Sequence, residues 1–341
     1  MIQISIETFR LSQIFVYMSL TFLIAILFTP LFTDFLYKNR IGKKIRSTDY
    51  SGAKTPIFSN LHKGKENTPT MGGLLIWGSA SVVTIVANLS RSGTYLPLFT
   101  LIASGAVGAI DDLMNVFGIG FDRGGMRFRT KLLFYTLVAV TGALWFAFKL
   151  DWINRPFFIP GMGDLILGYW YIPVFIIVLV ATSFAANQTD GLDGLAGGIF
   201  ALAFGAYSFI SLFKGNYTLA IFCATLTGAI LAFLWFNVYP ARFFMGDTGA
   251  MSLGMTLGVI AFLTNTVYLL PFIGFILMVE ALSTVIQIVS KKFFKRKVFK
   301  VAPIHHHFEA SGWPETKVTM RFWIITAITT AIGLSLVIIY G

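Results

Sequence analysis

Apolar runs of roughly 20 residues, the length that a helix needs to cross a bilayer, alternate with polar segments along the whole chain. The pattern predicts an all-α integral membrane protein, with one polytopic domain over residues 1–341. The segment 151–169 carries Pro and Gly among alternating apolar residues, which favours a small β-hairpin. Ten transmembrane helices are predicted, at 11–36, 71–89, 95–110, 131–149, 170–187, 195–213, 217–236, 248–266, 268–290 and 322–340.

Basic residues lie mostly in alternate loops between the predicted helices. The chain has 26 Lys and Arg residues and a net charge of +11. By the positive-inside rule the basic side is cytoplasmic, so both termini are extracytoplasmic. The excess of positive charge follows from this topology, and no nucleic-acid partner is predicted. The other side holds only Arg10, Arg91, Lys149, Arg155 and Lys214.

The composition supports a membrane setting. Hydrophobic residues make up 56% of the chain and charged residues only 12%, with a mean hydropathy of +0.77. Soluble domains contain about 25% charged residues. Cys223 is the single cysteine, so an intrachain disulfide is excluded.

The polar clusters that could perform chemistry all fall on the side predicted to be cytoplasmic. They are Asp111-Asp112, 187–193, 237–247 and the run of three histidines at 305–307. Lys and Arg alone determined the topology, so this agreement is independent of it. We therefore expect one shared site at the cytoplasmic face.

The segment 187–198, Asn-Gln-Thr-Asp-Gly-Leu-Asp-Gly-Leu-Ala-Gly-Gly, has the strongest signal. In a helix, a spacing of three would put Asn187, Asp190 and Asp193 near one face. The glycines after each Asp instead suit a tight turn close to a ligand. A plain Asp-Gly turn with Asp193 as a helix N-cap is the structural alternative. Two such pairs at a membrane edge favour function.

Three further carboxylates suit metal-assisted chemistry. Asp111 and Asp112 end a predicted helix, where anions are unfavourable unless they bind a cation or a partner. Asp247 begins the eighth run, either as a Mg²⁺ ligand beside a phosphate-binding helix N-terminus or simply as an N-cap. Phe244 could stack on a planar base or be an ordinary lipid-facing or core aromatic.

The consecutive residues His305, His306 and His307 cannot share one helix face, which disfavours a three-His zinc site. Hydrogen bonds to phosphate or sugar are the functional interpretation, and a polar loop tip is the alternative.

Single basic residues near the predicted membrane edges, such as Lys65 and Lys131, are either site residues or positive-inside anchors. The basic and aromatic segment 291–300 is typical of a helix on an anionic leaflet. Glu280 lies inside the ninth run, where a carboxylate suggests a site, but the sequence offers no partner for it.

Five ordered motifs between residues 65 and 310 give the chain a family resemblance. It resembles the bacterial phospho-N-acetylmuramoyl-pentapeptide transferases, within the polyprenyl-phosphate sugar-1-phosphate transferases. The triple-His segment points to the muramoyl branch. The motifs are Thr-Pro-Thr-Met-Gly-Gly, Asp-Asp-Leu-Met-Asn, Asn-Gln-Thr-Asp-Gly-Leu-Asp-Gly-Leu-Ala, Phe-Met-Gly-Asp-Thr-Gly and Pro-Ile-His-His-His-Phe-Glu.

The resemblance implies a Mg²⁺-dependent reaction at the bacterial inner membrane, among membrane lipids. Undecaprenyl phosphate attacks the β-phosphate of UDP-MurNAc-pentapeptide, giving lipid I and UMP for peptidoglycan synthesis. It further implies a homodimer, with Asp247 as Mg²⁺ ligand, Asp111 and Asp112 as the catalytic pair, and Asp193 and Phe244 near the uracil. The implied substrate-binding residues are Lys65, Thr70, Lys131, Asn187, Asp190, Asp193, Asn237, Phe244, His305, His306 and His307.

Two residues depart from the muramoyl pattern: Asn115 stands where Lys is usual, and Gln188 where Leu is usual. An N-acetylglucosamine-1-phosphate transferase of the same superfamily is therefore one alternative. A cation- or proton-coupled transporter is another, because intramembrane acids often mark ion paths. Against it, the acids lie at one face and no internal repeat is visible.

Overall fold

The computed structural model describes residues 6–39, 41–42, 65, 68–90, 92–120 and 124–340. Arg91 and most of the predicted basic loop 38–70 lie outside these residues. The helices are α1 (Ile6–Lys38), α2 (Gly73–Ala87), α3 (Tyr95–Phe117), α4 (Phe128–Leu144), α5 (Tyr171–Thr189), α6 (Leu195–Phe213), α7 (Tyr217–Asn237), α8 (Gly246–Leu263), α9 (Leu270–Ile273), α10 (Phe275–Val289), α11 (Ile304–Glu309) and α12 (Glu315–Tyr340).

The helices form a multi-pass membrane architecture, as predicted. Within the described residues, eight helices are long and apolar enough to cross a bilayer. The number is nine if the helices at 267–273 and 275–294, which meet at 83°, count as one broken span. The predicted run 71–89 corresponds to α2, which has only 15 residues. The count of ten therefore stays a prediction.

The predicted hairpin in 151–169 is confirmed. Strand β1 (Pro156–Ile159) pairs antiparallel with β2 (Gly163–Ile166). Asn265, just after α8, holds the hairpin against the helix end. Its Oδ1 accepts a bond of 3.3 Å from the Phe158 amide, and its Nδ2 donates one of 3.1 Å to the Pro156 carbonyl.

Helix α8 is the central helix, almost completely buried and packed between α3 and α5. A Cβ on Gly108 of α3 would lie 2.6 Å from the carbonyl carbon of Asp247, so only glycine permits this approach. Residues three and four positions later on a helix share its face. Asp111 and Asp112 are therefore directed at the first turn of α8.

The other end of α8 is packed with aromatic rings. The ring centroid of Phe262 lies 4.7 Å from that of Phe175 and 5.6 Å from that of Phe146. Phe146 also stacks on Trp152 at 4.7 Å and contacts Tyr171 at 5.9 Å. All five side chains are buried. Large buried rings provide much of the packing energy of a core, so this cluster fixes α8 in place.

Candidate active site

Asp247 lies in the first turn of α8, at the centre of the predicted polar residues. Its Oδ1 accepts a hydrogen bond of 2.8 Å from Asn187 Nδ2, and its Oδ2 accepts one from Lys131 Nζ. The N-cap position of the helix is Met245, so Asp247 does not cap α8. Its side chain keeps 17% of its surface exposed, which leaves it accessible from one side.

Lys131 joins Asp247 to Asp111. Its Nζ lies 2.6 Å from Asp111 Oδ2 and is also paired with Asp247. The other oxygen of Asp111 accepts a hydrogen bond of 2.6 Å from the Met126 amide. Carboxylates from α3 and α8 therefore share one ammonium group from α4. This is the convergence that the sequence predicts.

Asp112 has a different position from its neighbour Asp111. Its Oδ2 accepts hydrogen bonds from the amide and the hydroxyl of Thr248, at 3.0 and 2.7 Å, and its Oδ1 accepts one of 3.3 Å from the Asp247 amide. These amides belong to the helix N-terminus, where N–H groups lack partners within the helix. Asp112 therefore caps α8 from another helix and supports the turn that carries Asp247.

The turn before α8 brings in Asp190 and Thr70. Asp190 Oδ2 accepts a hydrogen bond of 3.1 Å from the Gly246 amide. Gly246 has a φ of +74°, and a Cβ there would lie 2.7 Å from Thr70 Oγ1. That buried hydroxyl has no hydrogen-bond partner in the described part of the chain. An unsatisfied hydroxyl beside Gly246 suits a polar ligand.

Asp193 lies in the turn between α5 and α6, and its carboxylate bonds to groups from other parts of the chain. Its Oδ1 lies 2.6 Å from Lys65 Nζ, and its Oδ2 accepts a hydrogen bond of 3.0 Å from the Ala241 amide. The N-cap of α6 is Gly194, so the N-cap alternative for Asp193 is wrong. Because α5 ends at Thr189, the tight-turn interpretation holds, and a continuous helix through all three residues does not.

Lys65 is held by two carboxylates and lies near an aromatic ring. Besides Asp193 it pairs with Glu315 at the start of α12, and its Nζ is 5.9 Å from the ring centroid of half-buried Phe244. Burial alone would lower the pKa of Lys65, but the charges of Glu315 and Asp193 outweigh it and raise the pKa above its usual value. Lys65 is therefore cationic at neutral pH.

Asn237 is a buried residue at the end of α7. Its Oδ1 accepts a hydrogen bond of 3.0 Å from the Gly194 amide, and its Nδ2 donates one of 2.9 Å to the Phe243 carbonyl. With a relative exposure of 4%, it connects two loops of the site and offers little surface to a ligand.

The three histidines lie on the short helix α11 and have three different partners. His305 Nδ1 lies 2.9 Å from Glu280 Oε2, with both side chains fully buried. Glu280, for which the sequence shows no partner, therefore has one in the structure, because the fold brings α11 onto α10. His306 Nδ1 lies 2.7 Å from Glu309 Oε2, and His307 Nδ1 accepts a 3.2 Å bond from the Lys300 amide. His305 faces Gly191, where its ring leaves no space for a Cβ.

Both departures from the muramoyl pattern have structural partners. Asn115 Nδ2 donates a hydrogen bond of 3.2 Å to the Gly124 carbonyl, at the end of α3. Gln188 Oε1 accepts one of 3.2 Å from Thr284 Oγ1, which connects α5 to α10. Neither residue bonds to the carboxylates of the site in these pairs.

Glu315 belongs to this site but cannot be recognised from the sequence. It follows Pro314 in the first turn of α12, where an acidic residue is ordinary because it complements the helix dipole. Nothing local in the sequence separates this role from pairing with Lys65, and only the three-dimensional contact identifies it.

The donor groups fit a magnesium ion. No three His, Cys, Asp or Glu side chains converge into a metal cage within the described ranges. Mg²⁺ does not need one, because it commonly takes one or two carboxylates together with substrate phosphates and water. Asp247 and Asp111 both pair with the ammonium group of Lys131, so carboxylate oxygens from two helices lie close to one cation. Asp247 is the better exposed of these two carboxylates.

Comparison with known proteins first identifies the class of protein to which the chain belongs. The family model described as glycosyl transferase family 4 matches residues 94–265, which is half of the chain and includes α3 to α8. Together with the multi-pass architecture, this match defines a membrane-bound transferase. A second match, to the phospho-N-acetylmuramoyl-pentapeptide-transferase signature 1, covers residues 65–76.

Curated relatives then identify the family. The phospho-N-acetylmuramoyl-pentapeptide-transferase of Chloroflexus aggregans is 39% identical over 337 residues, covering 94% of this chain and 88% of its own. The corresponding proteins of Geobacillus sp. strain WCH70 and Clostridium kluyveri are 38% and 37% identical, with 92% of this chain covered in both cases and 95% and 96% of theirs. The chain belongs to the phospho-N-acetylmuramoyl-pentapeptide-transferase family.

Proposed function

We propose that this protein transfers phospho-MurNAc-pentapeptide from UDP-MurNAc-pentapeptide to undecaprenyl phosphate, giving lipid I and UMP for peptidoglycan synthesis. The observation that carries the proposal is the meeting of Asp111, Lys131, Asn187 and Asp247, from four separate helices, at one point. Phosphoryl transfer depends on positioning and charge neutralisation more than on covalent help, and this cluster supplies both.

The proposed setting is the bacterial inner membrane, with the site on the cytoplasmic face. The distribution of Lys and Arg supports it, since the basic loops join the helix ends that carry the site. This arrangement makes the chain one polytopic domain of ten spans, with α2 as one span and the bent helices 267–294 as another. Both termini are then extracytoplasmic. The homodimer stays a prediction.

The nucleotide is assigned to the part of the site formed by Lys65, Asp193 and Phe244. A half-buried aromatic ring near a cation suits a planar base. The sugar and peptide are assigned to the neighbouring α11, where His305 packs against Gly191 in the turn between α5 and α6. The diphosphate is assigned to the neighbourhood of Lys131, beside the partly exposed Asp247.

The chemical step is written as a direct displacement. An oxygen of the lipid phosphate forms a bond to the β-phosphorus, and the bond from that phosphorus to the bridging oxygen breaks. UMP leaves with that oxygen and its electron pair. A phosphate monoester has a second pKa near 6 by analogy with phosphoserine, so the attacking group is largely a dianion at neutral pH. Asp111 orients it or accepts its remaining proton.

Asp247 is the residue proposed to hold Mg²⁺. When bound, the ion supplies positive charge to the diphosphate oxygens. Lys131 adds a second positive charge from the protein, and Asn187 fixes the orientation of the Asp247 carboxylate. A two-step route with an Asp nucleophile is the alternative mechanism. Trapping a phospho-sugar adduct of the enzyme, or a phosphorylated enzyme, would favour that route.

A UMP-release assay tests the proposal. Purified protein is incubated with undecaprenyl phosphate and either UDP-MurNAc-pentapeptide or UDP-N-acetylglucosamine, with Mg²⁺ or with EDTA. We expect UMP only from the muramoyl substrate and only with Mg²⁺. Release from UDP-N-acetylglucosamine alone would instead assign the protein to the other branch of the superfamily.

A further inference from the structure

One face of helix α12 lies along the turn that carries Asp193. The side chains of Glu315, Thr319 and Trp323 are spaced by four residues, so they lie on the same side of the helix. We call these three residues the positioning face of α12. The helix packs against α6, which starts directly after the turn.

Each residue of the positioning face bonds to the backbone of the turn. Glu315 Oε1 accepts a hydrogen bond of 2.6 Å from the Asp193 amide, and Thr319 Oγ1 donates one of 3.3 Å to the Asp193 carbonyl. Trp323 Nε1 donates one of 3.2 Å to the Gly194 carbonyl. Three side chains thus bond to three backbone groups in two consecutive residues, of which the Gly194 carbonyl also accepts a hydrogen bond of 3.0 Å from the Gly198 amide. Such a set fixes the conformation of the turn, because a buried backbone group without a partner is costly.

Glycines allow this contact. Gly194 has a φ of +76°, in the left-handed region that favours glycine. A Cβ on Gly198, one helical turn later, would lie 2.7 Å from Cζ2 of the Trp323 ring. The close fit of the indole therefore depends on missing side chains in the Asp-Gly-Leu-Ala-Gly-Gly segment.

Glu315 has a second contact with the site. The oxygen that accepts the Asp193 amide also accepts a hydrogen bond from Lys65 Nζ, and Lys65 in turn pairs with the Asp193 carboxylate. Lys65 therefore keeps one carboxylate partner if Asp193 rotates toward a ligand. Glu315 connects the backbone of the turn, its acidic side chain and the cation beside them.

We propose that Glu315 is a positioning residue for nucleotide-sugar binding, and that the positioning face of α12 sets the geometry of Asp193 and Lys65. The inference rests on the proposed function, which assigns these two residues to the nucleotide. Helix α12 lies beyond the region matched by the family model, which ends at residue 265. Its role is to orient the binding residues and not to contact the reacting phosphates.

The kinetic test uses Glu315→Ala, Glu315→Gln and Thr319→Val. Glu315→Ala removes both contacts, and we expect KM for UDP-MurNAc-pentapeptide to rise roughly ten-fold or more, the scale of losing a buried charged hydrogen bond. The turnover number should change by less than about three-fold, because the displacement groups stay in place. Glu315→Gln keeps an acceptor for the Asp193 amide and should recover most of the affinity. A purely structural role would lower the active fraction without changing KM.

The matched control is Thr326→Val, on the same helix. Among the described residues, its hydroxyl bonds only to the Phe322 carbonyl, at 2.8 Å, within α12. We expect Thr319→Val to raise KM about three-fold and Thr326→Val to leave it unchanged, on the scale of one neutral hydrogen bond. A KM within two-fold of the wild type for both Glu315→Ala and Thr319→Val would overturn the inference. If Glu315→Ala does not fold, Thr319→Val and its control Thr326→Val carry the test.

Amide hydrogen exchange separates this inference from the proposed function. Exchange at 193–198 in the wild type, Thr319→Val and Thr326→Val needs no substrate. Faster exchange at 193–198 in Thr319→Val alone supports the positioning face. A wild type that releases no UMP would reject the proposed function but would leave this result standing. Equal exchange in all three proteins would reject the positioning face.

Discussion

The two ends of α8 are built in opposite ways. At its N-terminus, carboxylates, a lysine and an asparagine surround Asp247, whose side chain remains partly exposed. At its C-terminal end, Phe262 is enclosed by aromatic rings and the hairpin lies over the helix. One end gathers like charges, which repel each other unless a cation is present, and the other buries apolar surface. The comparison indicates that the apolar end fixes the helix in place, while the polar end carries the groups for chemistry.

The largest effect is expected at the polar end. Asp247→Asn keeps the size of the side chain but removes its charge, and turnover should fall roughly a thousand-fold, as when a key charge partner of a transition state is lost. The midpoint temperature of thermal unfolding should be unchanged or slightly higher, because one of several crowded carboxylates is neutralised. The control is Asp164→Asn, on the exposed hairpin. Turnover near that of the wild type would remove Asp247 from the metal site.

The next effect is expected at the aromatic end. Phe262→Ala removes a buried ring that contacts Phe146 and Phe175, so stability should fall by about 3–5 kcal/mol. KM of the folded protein should remain that of the wild type. Phe213→Ala, where the ring is 49% exposed, is the control and should change stability far less. Equal losses in both variants would mean that the aromatic cluster does not fix α8.

A smaller effect is expected where support and chemistry meet. Asp112→Asn puts an amide against donors of Asp247 and Thr248, so the free energy of unfolding should fall by about 1–3 kcal/mol. Because this cap supports the turn that carries Asp247, turnover should fall as well. The matched control for helix stability is Thr256→Val, whose hydroxyl donates to the Ser252 carbonyl within α8. Lost turnover with unchanged stability would instead make Asp112 a catalytic residue.

Much of this arrangement could be predicted from the sequence. Apolar runs predict helices because a bilayer requires internal backbone hydrogen bonds, and the polar clusters mark the helix ends that meet. The distinct positions of Asp111 and Asp112 could not be predicted. They are adjacent, and which one faces Lys131 and which one caps α8 depends on how Gly108 brings α3 against that helix.

Contacts between segments far apart in the chain also could not be predicted from the sequence. Glu280 and His305 are 25 residues apart, and Lys65 and Glu315 are 250 apart. Each residue alone fits an ordinary alternative, a helix end or a membrane anchor. Periodicity identifies the face of a helix but not the partner opposite it, so these pairs required the structure.

The last effect is confined to a range of pH and concerns Glu309, at the edge of the polar end. Burial raises the pKa of this carboxyl to about 7, with the negative charges of Glu315 and Asp193 adding to the effect while His305 and Lys65 oppose it. The folded protein therefore binds a proton that the unfolded chain releases at its ordinary pKa, about 4.5. Where the folded state binds more protons, stability decreases as pH rises. The contribution of Glu309 should therefore decrease from about pH 4.5 and level off above about pH 7.

Glu309→Gln removes this titration but keeps a side chain of similar size that can form a hydrogen bond to His306. We expect the midpoint of thermal unfolding of the wild type, relative to the variant, to decrease between pH 5 and pH 7.5, a range that follows from the two pKa values. The aromatic-end variant Phe262→Ala should keep the pH dependence of the wild type, because no titrating group is changed. A difference between wild type and Glu309→Gln that is constant with pH, or that increases as pH rises, would show that Glu309 is already ionised in the folded protein.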